Sequence, residues 1–367
     1  MKRWIPLLLA VVLLLPGCDS WSGGSYHHVA PHEDQGGSNS NQDITVSDYR
    51  SLVSALQMLV ENGTESAIIF VQQYDESAIK KDIDNAVERI LAHNPIAAYA
   101  VEELKCELGI NSGRSAIAVN VSYTHDKREI LKISRVKNME AGMAVIAQRL
   151  DSCADSVVLY YDSYKETDFV QLVEDYAFQN PQMVMETPQV KVNIYPDSGI
   201  ARVVELKFIY QTSRETLRNY QNHVRRIFTA ANLYINSDAT ASEKHSQLYS
   251  FLLQQEDYEV KTSITPAYSL LRHGEGDAKA FATVYAAMCA EADLNCMVVT
   301  GTRWGEAWYW NLIEDEDGWH HVDIIRCSQE AGYQLRTDIE MEGYVWDYEA
   351  YPDSVSSEPP PTEPAGE

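Results

Sequence analysis

Apolar positions along the chain recur at two spacings, and they alternate in an order that is used twice. ESAIIFVQQYDESAIKKDIDNAVERILAHNP, ending at Pro95, lines up with DSVVLYYDSYKETDFVQLVEDYAFQNP, ending at Pro181. In each, an apolar run suited to a strand gives way to three- and four-residue spacing, the mark of an amphipathic helix, closed by Asn-Pro. The match continues beyond the prolines: SAIAVNVSYTH, Ser115 to His125, aligns with ARVVELKFIYQ, Ala201 to Gln211. Alternating strands flank the turns INSGRS and YPDSGI, so each copy predicts a β-α-β-β module, followed by a helix near Asn138–Leu150 or Arg214–Ala231. No catalytic constellation falls in this half.

A helix is predicted over SEKHSQLYSFLLQQEDYE, with Leu248, Phe251, Leu252 and Leu253 on its apolar face. Next come TPAYSLLRHGEGDAKAFATVYAAMCAEADLNCMVVTG and GEAWYWNLIEDEDGWHHVDI. From Ser237 to Cys327, about 90 residues, the chain resembles the bacterial transglutaminase-like, papain-related core. That family shows A-Y-x-x-L-x-x-G-x-G-V-C-x-G-Y-A, then G-I-x-C-x-V-V-S-G, G-H-A-W and W-x-x-V-D. Ala267-Tyr268 and Gly274-x-Gly276 anchor the alignment on one side; Cys296, Val298-Val299 and Gly301 anchor it on the other. The resemblance then puts the family's cysteine on Ala278, its histidine on Glu306 and its aspartate on Asp323.

A papain-like site needs a thiolate at a helix N-terminus, an imidazole to activate it and a carboxylate to orient the ring. Ala278 has no nucleophile and Glu306 cannot form an imidazolium, so the resemblance implies a domain without an intact catalytic triad. Cys289 is on the same predicted helix but about 16 Å beyond Ala278 at 1.5 Å per residue. Cys296 reads as a core residue. Glu306 and Asp323 are expected side by side in the old cleft, with Lys279 near enough to supply charge. Gly276, Lys279, Trp304, Trp308, Trp310 and Trp319 are the candidate cleft lining, although strand alternation sends some of the tryptophans to the core. Glu314 to Asp317 with Gly318 form an acidic hairpin turn, expected to be solvated rather than calcium-binding. His320 and His321 are on one strand and face opposite ways.

At the N-terminus Lys2 and Arg3 precede an apolar run from Trp4 to Leu15, too short for a membrane span. Leu15-Pro16-Gly17-Cys18 resembles the bacterial lipobox, which implies a cleaved signal and a diacylated Cys18. The expected organisation is a signal peptide over 1–17, a lipidated, disordered spacer over 18–42, tandem repeats over 43–235, a transglutaminase-like domain over 236–350 and a disordered Pro/Ser/Glu-rich tail over 351–367. His27, His28 and His32 fall in the spacer and read as scattered spacer residues.

The whole chain has 29 basic and 54 acidic residues, a formal charge of −25; losing Lys2 and Arg3 makes it −27, with 27 basic residues left. Such a surface repels nucleic acid. Beyond Cys18 the five cysteines make no C-x-x-C pair and no zinc pattern. The expectation is an α+β protein: a duplicated β-α-β-β module followed by a transglutaminase-like (papain-like cysteine protease) domain, with no cofactor or metal. It would be held at the membrane by its lipid, outside the cell or in a periplasm, and bind a cell-wall peptide, a glycan or an envelope protein. An unusual cysteine peptidase or amidase and a purely structural scaffold lipoprotein are the other readings.

Overall fold

The computed structural model describes residues 44–255, 266–330 and 332–355. The expected signal, lipidation site and spacer lie outside them. No helix among the described residues is long and apolar enough to cross a membrane.

Two units of the same topology come first. The first runs β1 (Ile44–Val46), α1 (Tyr49–Glu61), β2 (Ser66–Val71), α2 (Ile79–His93), α3 (Pro95–Ala100), β3 (Val101–Asn111) and β4 (Arg114–Tyr123). After a short α4 (Lys127–Leu131), the second runs β5 (Ser134–Val136), α5 (Met139–Asp151), β6 (Ser156–Tyr161), α6 (Phe169–Gln179), β7 (Gln189–Tyr195) and β8 (Arg202–Ile209). Their sheets have orders β1-β2-β4-β3 and β5-β6-β8-β7, each with one parallel pair and two antiparallel ones. The expected β-α-β-β segment is therefore present in each copy, extended at its start by a further strand and helix. The helix near Asn138–Leu150 is this leading helix of the second copy, not a trailing element of the first.

Local chemistry repeats with the topology. Asp48 caps α1 through Ser51 N, and Asn138 caps α5 through Ala141 N. Both helices have 13 residues and both end in a left-handed residue, Gly63 (φ 60°) in one copy and Cys153 (φ 49°) in the other. Leu52, Leu56, Val60, Ile69, Ile83 and Ile117 fill the first core; Ile146, Leu150, Leu159, Phe169, Val173 and Leu206 fill the second. Each fully buried aliphatic or aromatic side chain contributes about 1.5–3 kcal/mol.

The remaining chain forms α7 (Arg214–Tyr234), α8 (Ala241–Gln255), α9 (Pro266–His273), α10 (Ala278–Glu291), β9 (Cys296–Arg303), β10 (Glu306–Glu314), β11 (Trp319–Val322), α11 (Ile324–Gln329) and β12 (Tyr344–Trp346). Its antiparallel sheet has the order β11-β10-β9-β12. Helix α10 is buried nearly all round, with Phe281, Val284, Tyr285 and Cys289 fully enclosed, and Asn311 of β10 donates to its Ala282 carbonyl at 2.9 Å. Two threads join this part to the second repeat. Gln221 of α7 donates to the carbonyls of Asp151 and Met183, and Arg214 donates to that of Ser152. Residues 351–355, expected in the tail, are tied to the sheet: Tyr351 OH accepts from Thr300 N, Ser354 Oγ from Asp338 N, and Val355 N donates to the Trp319 carbonyl.

Candidate functional site

Helix α10 starts at Ala278, the position expected for the family's cysteine. Asp277 is its N-cap and accepts from Ala280 N at 2.8 Å. Ala278 follows as the first helical residue, a methyl group only 6% exposed. Gly276 sits behind it. A Cβ there would come within 3.1 Å of the Ala280 and Leu270 Cβ atoms, so this glycine lets α9 pack against α10.

The aspartate closes β11 and opens α11. Asp323 is 1% exposed and both of its oxygens are engaged. Oδ1 caps α11 by accepting from Arg326 N at 3.0 Å. Oδ2 accepts from the Trp308 indole Nε1 at 2.8 Å and from the Tyr344 hydroxyl at 2.6 Å, with Arg303 Nη1 at 3.9 Å. The Arg303 guanidinium also lies over the Trp308 and Tyr344 rings. Burial and the Asp323 charge push the Tyr344 phenol well above its ordinary range.

Glu306, expected beside Asp323, is elsewhere. It is exposed and pairs across the β9–β10 turn with Arg303. The ladder between β10 and β11 pairs Asn311 with Val322, so the position facing Asp323 by continuation is 310. Glu306 is four residues, about 13 Å at 3.3 Å per residue, further along the strand. The side chain on this strand that does reach Asp323 is Trp308. It is half-buried and packs against both the cluster that contains Ala278 and the cluster around Trp310.

The other expected cleft residues divide. Trp310 is fully enclosed and donates to His321 Nδ1 at 2.9 Å, while His321 Nε2 meets Asp338 at 2.8 Å. An indole N–H only donates, so the His321 proton is on Nε2 and the ring is neutral; burial lowers its pKa. His320, on the other face, lies 3.2 Å from Asp315. Trp319 is half-buried beside the Trp310 cluster. Trp304 is 70% exposed. It is a central residue of a two-residue hairpin loop with Gly305, at φ 53° and 87°, the positive angles that a type I′ turn requires. Lys279 is exposed, with Nζ above the rings of Phe178 (4.6 Å) and Tyr309 (5.4 Å).

In the acidic turn, Glu316 accepts from Ala241 N and Ser242 N and so caps α8. Among the described residues no group of three His, Cys, Asp or Glu side chains is placed to hold a metal ion. Sequence reasoning missed Tyr344 and Arg303. Arg303 immediately precedes the Trp-Gly turn, but nothing local marks Tyr344, which is 21 residues beyond Asp323.

Residues 229–324 match the transglutaminase-like superfamily; the matched stretch begins inside α7 and ends before β12. No curated protein matches the chain. Among solved structures, a TGase is similar at 10% identity with a TM-score of 0.26, over 59% of this chain and 63% of its own. A candidate cysteine protease from Cytophaga hutchinsonii is similar at 12% identity and a TM-score of 0.25, over 43% of this chain and 70% of its own. A candidate protease from Parabacteroides distasonis ATCC 8503 follows at 8% identity and a TM-score of 0.23, over 70% of this chain and 39% of its own. The chain thus spans less than two thirds of the first of these. It is a mixed α+β protein that carries a transglutaminase-like domain.

Proposed function

We propose that this chain is an envelope lipoprotein, tethered through Cys18, whose transglutaminase-like domain is non-catalytic and binds a peptide or glycan. The observation that carries the reading is the occupancy of Asp323. In a Cys-His-Asp triad the carboxylate accepts the ring N–H of the general base. Here the ring N–H it accepts belongs to the Trp308 indole, which has no lone pair with which to take a proton from a thiol. By role, Trp308 rather than Glu306 stands in the place of the base, and Ala278 stands in the place of the nucleophile. The retained carboxylate then serves structure: it caps α11 and joins β10, β11 and β12. The exposed Trp304, with one ring face packed on Gly343, offers a surface on which a sugar ring or an apolar side chain stacks.

The cysteine-peptidase reading has one observation to favour it, the 3.5 Å separation of Cys289 Sγ and His245 Nδ1. Both side chains are fully enclosed. Burial raises the thiol well above its ordinary pKa and lowers the imidazole to about 4, the reverse of what a thiolate–imidazolium pair needs.

The test is ammonia release from a glutamine-containing peptide and hydrolysis of cell-wall peptides by the chain from Cys18 onward, beside the variant Cys289→Ser. Absence of turnover with saturable binding of cell-wall peptide or glycan, weakened by Trp304→Ala, supports the proposal. Turnover that vanishes in Cys289→Ser overturns it. Labelled palmitate incorporation, lost in Cys18→Ala, tests the anchor.

A further inference from the structure

The sheet of the first repeat ends on β3, an 11-residue strand that pairs with β4 on one side and with no strand among the described residues on the other. Every second residue of such a strand directs its N–H and C=O away from the sheet, which makes the edge a template for a further strand. Alternation divides the side chains. Leu104, Cys106 and Leu108 pack toward the core of the repeat, and Ile110, on the same side, is 83% exposed. Glu103, Lys105 and Glu107 are turned the other way and are exposed.

An open groove runs between this edge and α2. Ile83, Val87, Leu104 and Cys106 give it an apolar floor, and Leu91, 39% exposed, gives it an apolar lip. The charged residues that line it are both acids, Asp84 and Glu88; the bases of α2, Lys80, Lys81 and Arg89, are not among the lining residues. From Ile83 to Ala92 the helix covers about 14 Å at 1.5 Å per residue, the length of about four strand residues, so two alternate side chains of an added strand enter the groove. The other face of the edge is acidic as well, for Lys105 is bound to Glu103 at 2.7 Å and Glu107 stands beside that pair. A second copy of the chain would bring the same acids to both sides of the junction, and an acidic strand would do the same. A strand with basic side chains would not.

We propose that β3 accepts an extended peptide of alternating apolar and basic residues as a fifth strand of its sheet, with the apolar side chains in the α2 groove and the basic ones beside Glu103 and Glu107. The site is in the first repeat and uses neither Trp304 nor Asp323, so it stands apart from the function proposed above. Its test is calorimetric titration of the chain from Cys18 onward, at about 0.15 M salt, with the acetylated and amidated peptide Lys-Val-Lys-Val-Lys-Val-Lys. Two controls carry glutamate for each lysine or glycine for each valine. The first peptide should saturate one site at least about tenfold more tightly than either control. Leu91→Lys, a change at an exposed side chain, should weaken it by at least about tenfold without altering the thermal midpoint. Amide hydrogen exchange over residues 101–111 should slow when the peptide is bound. Lack of saturation, equal binding of the glycine control, affinity unchanged in Leu91→Lys, or protection elsewhere than β3 each overturns the proposal. So does loss of binding in Trp304→Ala, which would assign the peptide to the other domain.

Discussion

The indole Nε1 of Trp308 lies 2.8 Å from Oδ2 of Asp323, with the Tyr344 hydroxyl 2.6 Å from the same oxygen. Two donors from two different strands thus converge on one buried acceptor. Removing an acceptor that leaves buried donors unpaired costs about 1–3 kcal/mol per group, and loss of the cap adds about 1. Asp323→Ala should therefore lower unfolding stability by about 3–7 kcal/mol, read from urea midpoints at unchanged slope, while Tyr344→Phe costs about 1–2.

The two candidate positions for a base separate cleanly in a rebuilt site. An imidazole at 308 can donate to Asp323 and stabilise a thiolate at 278; one at 306 cannot reach the carboxylate. The double variant Ala278→Cys with Trp308→His should have an introduced thiol whose pKa, followed by thiolate ultraviolet absorbance, is lower by at least about one unit than in Ala278→Cys alone. Ala278→Cys with Glu306→His should show no such drop. The reverse result would restore Glu306 to the place of the family's histidine.

Glu306→Gln should be close to neutral, within about 0.5 kcal/mol, because the side chain is exposed and makes no hydrogen bond or ion pair among the described residues. Gly301→Ala should be severe. Its Cβ would come to 2.3 Å from the Val345 carbonyl oxygen and 2.9 Å from Trp310, so either β12 leaves β9 or the tryptophan moves. Equal thermal midpoints for the two variants would contradict this packing.

Acid should weaken the fold before the carboxylates protonate. His245 is enclosed and neutral, its pKa lowered by burial from 6.5 to about 4. In the unfolded chain it binds a proton near pH 6.5, so the unfolded state gains protons that the folded state refuses. Stability is then full above pH 6.5 and falls as pH drops toward 4, by about 3 kcal/mol for this residue. His321, also lowered by burial, adds in the same direction. The check is a series of urea midpoints from pH 7.5 to 4.5; a His245→Gln variant should show a shallower decline, and an unchanged slope would remove His245 as the cause.

Much of the architecture was legible because it rests on periodicity. The strands β2, β4, β6 and β8 and the helices α2 and α6 carry long apolar patterns, and Asn94-Pro95 and Asn180-Pro181 punctuate both copies. The leading strands were not, because β1 and β5 have three residues each and a pattern that short has no period, so the helix near Asn138–Leu150 was read without the strand that precedes it. The place of Ala278 at the start of α10 follows from its distance to Cys296. The place of Glu306 did not follow from a four-residue motif, since strand register is set by where the turn closes. Counting back from the Asp315–Gly318 turn, rather than matching Gly-Glu-Ala-Trp by eye, puts position 310 opposite Asp323 and Trp308 only two residues further along the strand. Tyr344 reaches the site across a sheet edge, a long-range relation that no local pattern records.

The position of β12 sets the order in which the domain can be completed. The strand pairs with the outer side of β9 and delivers Tyr344 to Asp323, yet it begins 20 residues after the matched stretch ends. During synthesis a chain made only as far as residue 324 has an uncovered β9 edge and a buried carboxylate short of one donor. Such a fragment is a template for pairing with another copy of itself. The residues that complete this sheet edge are made after the matched stretch, so truncation ahead of Trp346 should make the domain self-associate.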